Sequence, residues 1–266
     1  MIEDFGPPGI AAADGRLALS GTAAALRSWF DGKFRAAALA GGALECHFPS
    51  SIARQTLTRA GYFESFPDGA TTIGAGRLSD FFLSPAVCYH AYAWLADRGV
   101  ERPVVLTASQ TCFREADRVA PERAEERLTR LWEFTMREVI FIGPAEWVAA
   151  HCRRWAEWTH AFARDLELSG AIEPATDAFF GDVSRGQRLI QQLKHLKDEL
   201  RLTIGSGSVA AASFNLHETF FGSRFDLRMP DGSAAHSGCA AFGLERWALA
   251  LLAQRGEQAA LDVLKG

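Results

Sequence analysis

The stretch "HSGCAAFGLERWALALLAQRG", residues 236–256, reads as a strand, a turn and a helix. Leu244, Trp247, Ala248, Leu251 and Leu252 recur at i, i+3, i+4, i+7 and i+8, which places a helix start close to Gly243. Arg246 then falls in the first helical turn, where a cation opposes the helix dipole. Two readings stay open for it: a surface or ion-paired arginine, or a group that helps free N–H donors hold an anion such as phosphate. Cys239, just upstream, is either a small core residue or a ligand.

A second strand, "WEFTMREVIFIG" (132–143), has period two. Its even-numbered face carries Trp132, Phe134, Met136, Glu138, Ile140 and Ile142, with Arg130 joining if the strand extends back. Glu138 is a carboxylate on an apolar face, which requires a partner. An arginine in the core or a metal would serve.

The remaining chain fits one α+β domain. A weak helix is expected in "TAAALRSWFDGKFRAAALA", within an Ala/Gly-rich segment 1–45 read as a loosely packed or accessory arm. Residues 46–266 have the texture of a compact domain. Helices are expected over 84–99, 145–170 and 186–200, and a strand from 103. "ADRVAPERAEERLTR" (116–130) reads as a charged loop, and "RLTIGSGSVAAASFN" (201–215) as two strands around a Gly/Ser turn. The stripe Trp147, His151, Trp155, Trp158, Phe162 and Leu166 is core packing at helical spacing.

Several classes are disfavoured. The net charge of −4, from 28 basic and 32 acidic residues, carries no nucleic-acid footprint. "WALALLA" (247–253) is too short to span a bilayer. The acidic start "MIEDFGPPGIAAADG" lacks a secretory signal's basic and apolar regions. Five scattered cysteines, at 46, 88, 112, 152 and 239, argue against a disulfide framework. A cytoplasmic protein with reduced thiols is expected. "GSGS" lacks the Lys-Ser/Thr of a Walker loop, and no Gly-x-Ser-x-Gly elbow is present.

Taken together, "TCFRE" (111–115), "RLWEFTMRE" (130–138) and "SGCAAFGLERW" (237–247) resemble motifs 2 and 3 of class II aminoacyl-tRNA synthetases. With "FPSSIARQTLTRAGYFESFP", "LSPAVCYHAYAWL" and "EPATDAFFG" (173–181), the chain is similar to the zinc-dependent, methanogen-type seryl-tRNA synthetase. It is still more similar to the shortened amino acid:[carrier protein] ligases. The likeness covers roughly 46–256. It implies an antiparallel sheet flanked by helices, a homodimer, and ATP bound with Mg2+. It implies Arg114 on the α-phosphate, Arg130 on the distal phosphates, Phe134 on adenine and Arg246 on the γ-phosphate. Glu115 lies in the nucleotide region, while Ala116 stands where the family has glutamate and Ala241 where it often has glycine. The resemblance also implies Zn2+ on Cys88, Glu138 and Cys239, with the substrate amine completing the site, and substrate contacts from Glu138, Ser213 and Asn215. Cys112 does not match a ligand position. Glu199 is a candidate for the magnesium ligand that "VAAASFN" lacks.

The activity so implied is ATP-dependent activation of a small amino acid, glycine or alanine. The aminoacyl group then passes to the phosphopantetheine thiol of an acyl carrier protein. The short segment before the matched region and the acidic charge disfavour tRNA as acceptor. The basic residues Arg185, Arg188, Lys194, Lys197 and Arg201 of the helix expected at 186–200 form either a solvated face or a carrier-docking face. A synthetase acting on tRNA and a non-catalytic amino-acid- or adenylate-binding regulator are the alternatives.

Overall fold

In a computed structural model the chain is described over residues 9–13, 15–67, 69–96, 100–115, 131–175 and 196–266. The period-two run at 133–143 forms β7 (Glu133–Gly143), an inner strand of a seven-stranded sheet. Its neighbours are β6 (Val104–Phe113) and β11 (His236–Gly243). Beyond β11 come β10 (Gly207–Glu218), β9 (Lys197–Ile204) and β8 (Gly170–Pro174). Beyond β6 comes the short edge strand β3 (Leu44–Glu45). All pairings are antiparallel except β3 with β6. Two small hairpins stand apart: β1 (Ile10–Ala13) with β2 (Arg16–Leu19), and β4 (Ser51–Ala53) with β5 (Phe81–Leu83).

Side-chain alternation divides the sheet into two buried faces. The odd residues Val139 and Phe141 of β7 join Ala240 and Phe242 of β11 in one core. That core is roofed by α1 (Gly21–Ala40), α5 (Ala145–Asp165) and α7 (Leu244–Lys265). The even residues Met136, Ile140 and Ile142 join Cys112, Cys239 and Ala241 in the other core. It is closed by α4 (Cys88–Ala96) and α6 (Phe220–Arg224). The short helices α2 (Arg54–Arg59) and α3 (Tyr62–Ser65) cover β4 and β5. The architecture is thus the expected α+β arrangement, an antiparallel sheet flanked by helices. No helix among the described residues is long and apolar enough to cross a membrane.

The aromatic stripe on α5 packs as expected. Trp155 is buried, and Trp158 stacks on Phe162 at 5.2 Å and 7°. Gly238 allows β10 and α5 to approach β11, because a Cβ there would lie 2.8 Å from both the Asn215 carbonyl and Cys152 Sγ. Gly243 is the N-cap of α7, the boundary read from the apolar spacing.

Two expectations change. Segment 1–45 is not loosely packed over its helix: Ala23, Leu26, Phe30, Phe34 and Ala38 of α1 are buried, and Phe34 stacks on Phe242 at 4.2 Å. The helix expected at 186–200 does not reach its C-terminal end. Lys197–Leu200 lie in β9, while 186–195 fall outside the described residues. Leu200 pairs with Ala212 on one side and Ile172 on the other. Two flanking strands satisfy its backbone and override the leucine spacing. Lys197 and Arg201 therefore belong to a strand, and no basic helical face includes them.

Within α7, Gly256 has φ 75° and ψ 175°, a conformation nearly confined to glycine. Gly256→Ala is expected to lower unfolding stability by about 1–2 kcal/mol, read from the urea midpoint. An unchanged midpoint would show that the kink relaxes freely.

Candidate active site

Strand register brings the sequence-flagged residues onto one face. Glu199 of β9 pairs with Ser213 of β10, which pairs with Ala241 of β11. Ala241 pairs with Glu138 of β7, which pairs with Ala108 of β6. One step along, Lys197, Asn215, Cys239 and Ile140 form the adjacent row. Cys88, the first residue of α4, is carried to this face from outside the sheet.

Glu138 is 1% exposed and makes no ion pair among the described residues. No core arginine pairs with it among the described residues, although the Arg114 charge lies near enough to favour its ionised form; Arg130 falls outside them. Arg137, its chain neighbour, points to the other face and pairs with Asp31 of α1 at 2.5 and 3.0 Å. Glu138 Oε1 accepts from the Val87 N–H at 3.0 Å, and Oε2 has no hydrogen-bond partner among the described residues. Burial raises its carboxyl above the usual range, opposed by the Val87 amide and by the Cys88 thiol. The Cys88 thiol is pushed well up by its hydrogen bond with Cys239, then by burial, then by the Glu138 charge. These three side chains are therefore immediate neighbours. Asn215 Nδ2 donates to Cys239 Sγ at 3.3 Å and to Ser213 Oγ at 3.1 Å.

His217 packs against the same cluster, with Nε2 3.9 Å from Cys239 Sγ. Its Nδ1 lies 3.0 Å from Tyr92 Oη and 3.2 Å from Ser237 Oγ. Burial lowers its pKa to about 3, so the imidazole is neutral at physiological pH.

Among the described residues, no group of three or more His, Cys, Asp and Glu side chains is arranged to hold a metal ion as it stands. The donor chemistry at Cys88, Glu138 and Cys239 nevertheless fits zinc. Two thiols adjoin a carboxylate whose second oxygen is buried without a partner. Glu199 differs: Lys197 Nζ lies 3.1 Å from Oε1 and Arg201 Nη1 3.1 Å from Oε2, so both oxygens already face cations.

The nucleotide-side residues gather at the other end of β6 and β7. The Arg114 guanidinium lies 5.1 Å from the Phe134 ring centre, and its Nε donates to the Pro85 carbonyl at 3.3 Å. The ring expected to carry adenine thus carries an arginine. Glu115 Oε2 accepts from Thr71 Oγ1 at 2.5 Å and Trp132 Nε1 at 3.1 Å. Arg246 Nη1 donates to the Ala210 carbonyl at 2.9 Å, which holds it over β10. Arg130 and Ala116 lie outside the described residues. A cavity of about 660 Å³ opens beside Phe134, between the β1–β2 hairpin, α1 and the facing ends of β6 and β7. It is lined by Arg16, Arg27, Thr111, Glu133 and Glu245 among others.

Three residues were not singled out from the sequence. Glu245 accepts from the Thr135 N–H at 2.9 Å and from Arg27 Nε at 3.2 Å, joining α7 to β7 and α1. An acid in a first helical turn was the available signal. His217 had none. Gln110, polar amid Leu106, Ala108 and Cys112 on one strand face, carried the same signal as Glu138.

No protein-family model matches the chain. It is similar to two proteins of Bradyrhizobium diazoefficiens, amino acid–[acyl-carrier-protein] ligases 1 and 2. Identity to the first is 31% over 237 residues, covering 79% of this chain and 71% of that protein. Identity to the second is 34% over 245 residues, covering 80% and 70%. A type-2 serine–tRNA ligase of Methanothermobacter thermautotrophicus is 25% identical over 246 residues, covering 81% of this chain and 48% of that protein. Among solved structures, M. kandleri SerRS in complex with A. aeolicus tRNASec has a TM-score of 0.77 at 21% identity, covering 92% of this chain. Seryl-tRNA synthetase from Pyrococcus horikoshii complexed with ATP has a TM-score of 0.74 at 15% identity, covering 94%. Those structural likenesses show a shared fold, and the chain spans only 54% and 56% of the two solved chains.

Proposed function

The chain belongs to the amino acid–[acyl-carrier-protein] ligase family, and from that premise we propose that it activates a small amino acid, glycine or alanine, with ATP and transfers it to a carrier protein's phosphopantetheine thiol. The observation that carries the reading is the buried Glu138, with an unpartnered oxygen and two flanking thiols, on the sheet face that also bears Phe134.

Cys88, Glu138 and Cys239 would hold zinc, which supplies a Lewis-acidic anchor for the substrate amine. The remaining work falls to the chain's own groups. Asn215 Nδ2 orients the Cys239 sulfur, and Ser213 fixes Asn215 in turn. The small Ala108 and Ala241 flank Glu138 in its row, which suits a short substrate side chain. Arg114 leaves the Phe134 ring to meet the α-phosphate, and the freed ring takes adenine. Arg246, held by Ala210, meets the terminal phosphates, as does Arg130. The substrate carboxylate oxygen attacks the α-phosphorus, and the bond to pyrophosphate breaks. Arginine charge offsets the negative charge that develops, to which magnesium brought with ATP would add. The phosphopantetheine sulfur, having lost its proton, then attacks the acyl carbon, and AMP leaves. Alignment and fixed charge supply the acceleration, with no protein nucleophile. The working unit in this reading is a homodimer.

ATP–pyrophosphate exchange across a panel of amino acids tests the first half-reaction. Exchange is expected with glycine or alanine, and its absence with every amino acid would end the ligase reading. Labelled amino acid offered to both phosphopantetheinylated carrier and tRNA tests the second. Label is expected on the carrier. Label on tRNA alone would reassign the acceptor.

A further inference from the structure

Gln110 lies on β6 and is 6% exposed, yet neither Nε2 nor Oε1 has a hydrogen-bond partner among the described residues. A carboxamide brings two donors and two lone pairs, and burying it unpaired costs stability. Such groups are few in folded proteins, and each calls for a cause.

Its position supplies one. On β6, Ala108 stands opposite Glu138, Gln110 opposite Met136 and Cys112 opposite Phe134. Gln110 therefore shares the face of Glu138 and is a diagonal neighbour of both Glu138 and Phe134, roughly 7–8 Å away between Cα atoms. Among the described residues, Glu138 Oε2 is a second unpartnered polar atom on this face. Two buried polar side chains, adjacent on one face and both short of partners, mark a place made for a polar ligand.

We propose that Gln110 reads the α-amino-acid backbone of the substrate, its Nε2 donating to the carboxylate and its Oε1 accepting from the amine. The assignment rests on the ligase reading, in which the amine lies at the Glu138 end and the carboxylate faces Arg114 and Phe134. Gln110 sits between those ends. A carboxamide offers a donor and an acceptor side by side, matching the acceptor and donor that every α-amino acid presents. Being neutral, it adds no charge beside a carboxylate and two thiols. Because it engages backbone atoms, it selects α-amino acids over hydroxy acids and simple carboxylic acids, whatever the side chain.

Gln110→Met keeps the length of the side chain and removes the amide; Gln110→Leu is the second variant. In ATP–pyrophosphate exchange with the full chain, the KM for the amino acid is expected to rise about tenfold or more in both, with the KM for ATP unchanged. The thermal midpoint is expected to hold or rise, because the buried unpaired amide is gone. A purely structural glutamine would give the reverse: a lower midpoint, with both KM values moved together or neither moved. That outcome, or an unchanged amino-acid KM, overturns the assignment. Lack of exchange in the unaltered protein is a different result, and it removes the ligase reading along with this role.

Discussion

Cys239→Ala is expected to purify folded, without stoichiometric zinc, and with ATP–pyrophosphate exchange reduced at least about a hundredfold. Cys239 is 3% exposed, its neighbours Ala240 and Ala241 are also buried, and alanine fits the same strand without strain. What the variant loses is one of two adjoining thiols beside a buried carboxylate. One cysteine and Glu138 would remain, too few protein donors for a tetrahedral site with one open position. Cys88→Ala is expected to behave alike, although it approaches from α4. Cys112→Ala is the control, because Cys112 is buried on the same face but opposite Phe134 and distant from Glu138 in register. Metal content by atomic spectroscopy, and the thiolate charge-transfer bands of cobalt-substituted protein, report the site without reference to turnover. Stoichiometric zinc retained in both Cys88→Ala and Cys239→Ala would rule out the ligand set.

Asp31→Ala is expected to lower unfolding stability by about 3 kcal/mol, because it leaves a buried guanidinium unpaired. Arg137 is 3% exposed, and Asp31 grips it through both oxygens, at 2.5 and 3.0 Å. Thr107 Oγ1, 3.3 Å from Nη1, cannot replace a carboxylate. The Asp31 side chain is 27% exposed, which places the cost nearer the lower end for a buried pair. The double variant Asp31→Ala/Arg137→Met is expected to recover most of the loss, since an apolar side chain in that place leaves no charge to solvate. Urea unfolding measures both. A single-variant loss under about 1 kcal/mol would show the pair behaving as a surface one. The pair also bears on the site, because Arg137 and Glu138 are consecutive on β7. Holding one against α1 fixes which face the other takes.

Much of this arrangement is legible before folding. The alternation along 132–143 put Glu138 on an apolar face, and β7 buries it there. The spacing of Leu244, Trp247, Leu251 and Leu252 placed a helix start at Gly243, where α7 begins. Those patterns are local, with periods of two or 3.6 residues along one segment. The same alternation on β6 makes Gln110 visible as a polar residue among Leu106, Ala108 and Cys112. That both its amide atoms lack partners depends on every element around it and has no sequence pattern.

The sequence by itself determined the strand–turn–helix at 236–256, the sheet strands around it and the misplaced carboxylate at 138. The tertiary structure alone decided that Leu200 serves a strand and that Asp31 answers Arg137. The physical reason is range. Periodicity records which side of its own element a residue faces, whereas register, helix docking and charge pairing are set by segments far apart in the chain, whose contacts exist only once the whole sheet has closed.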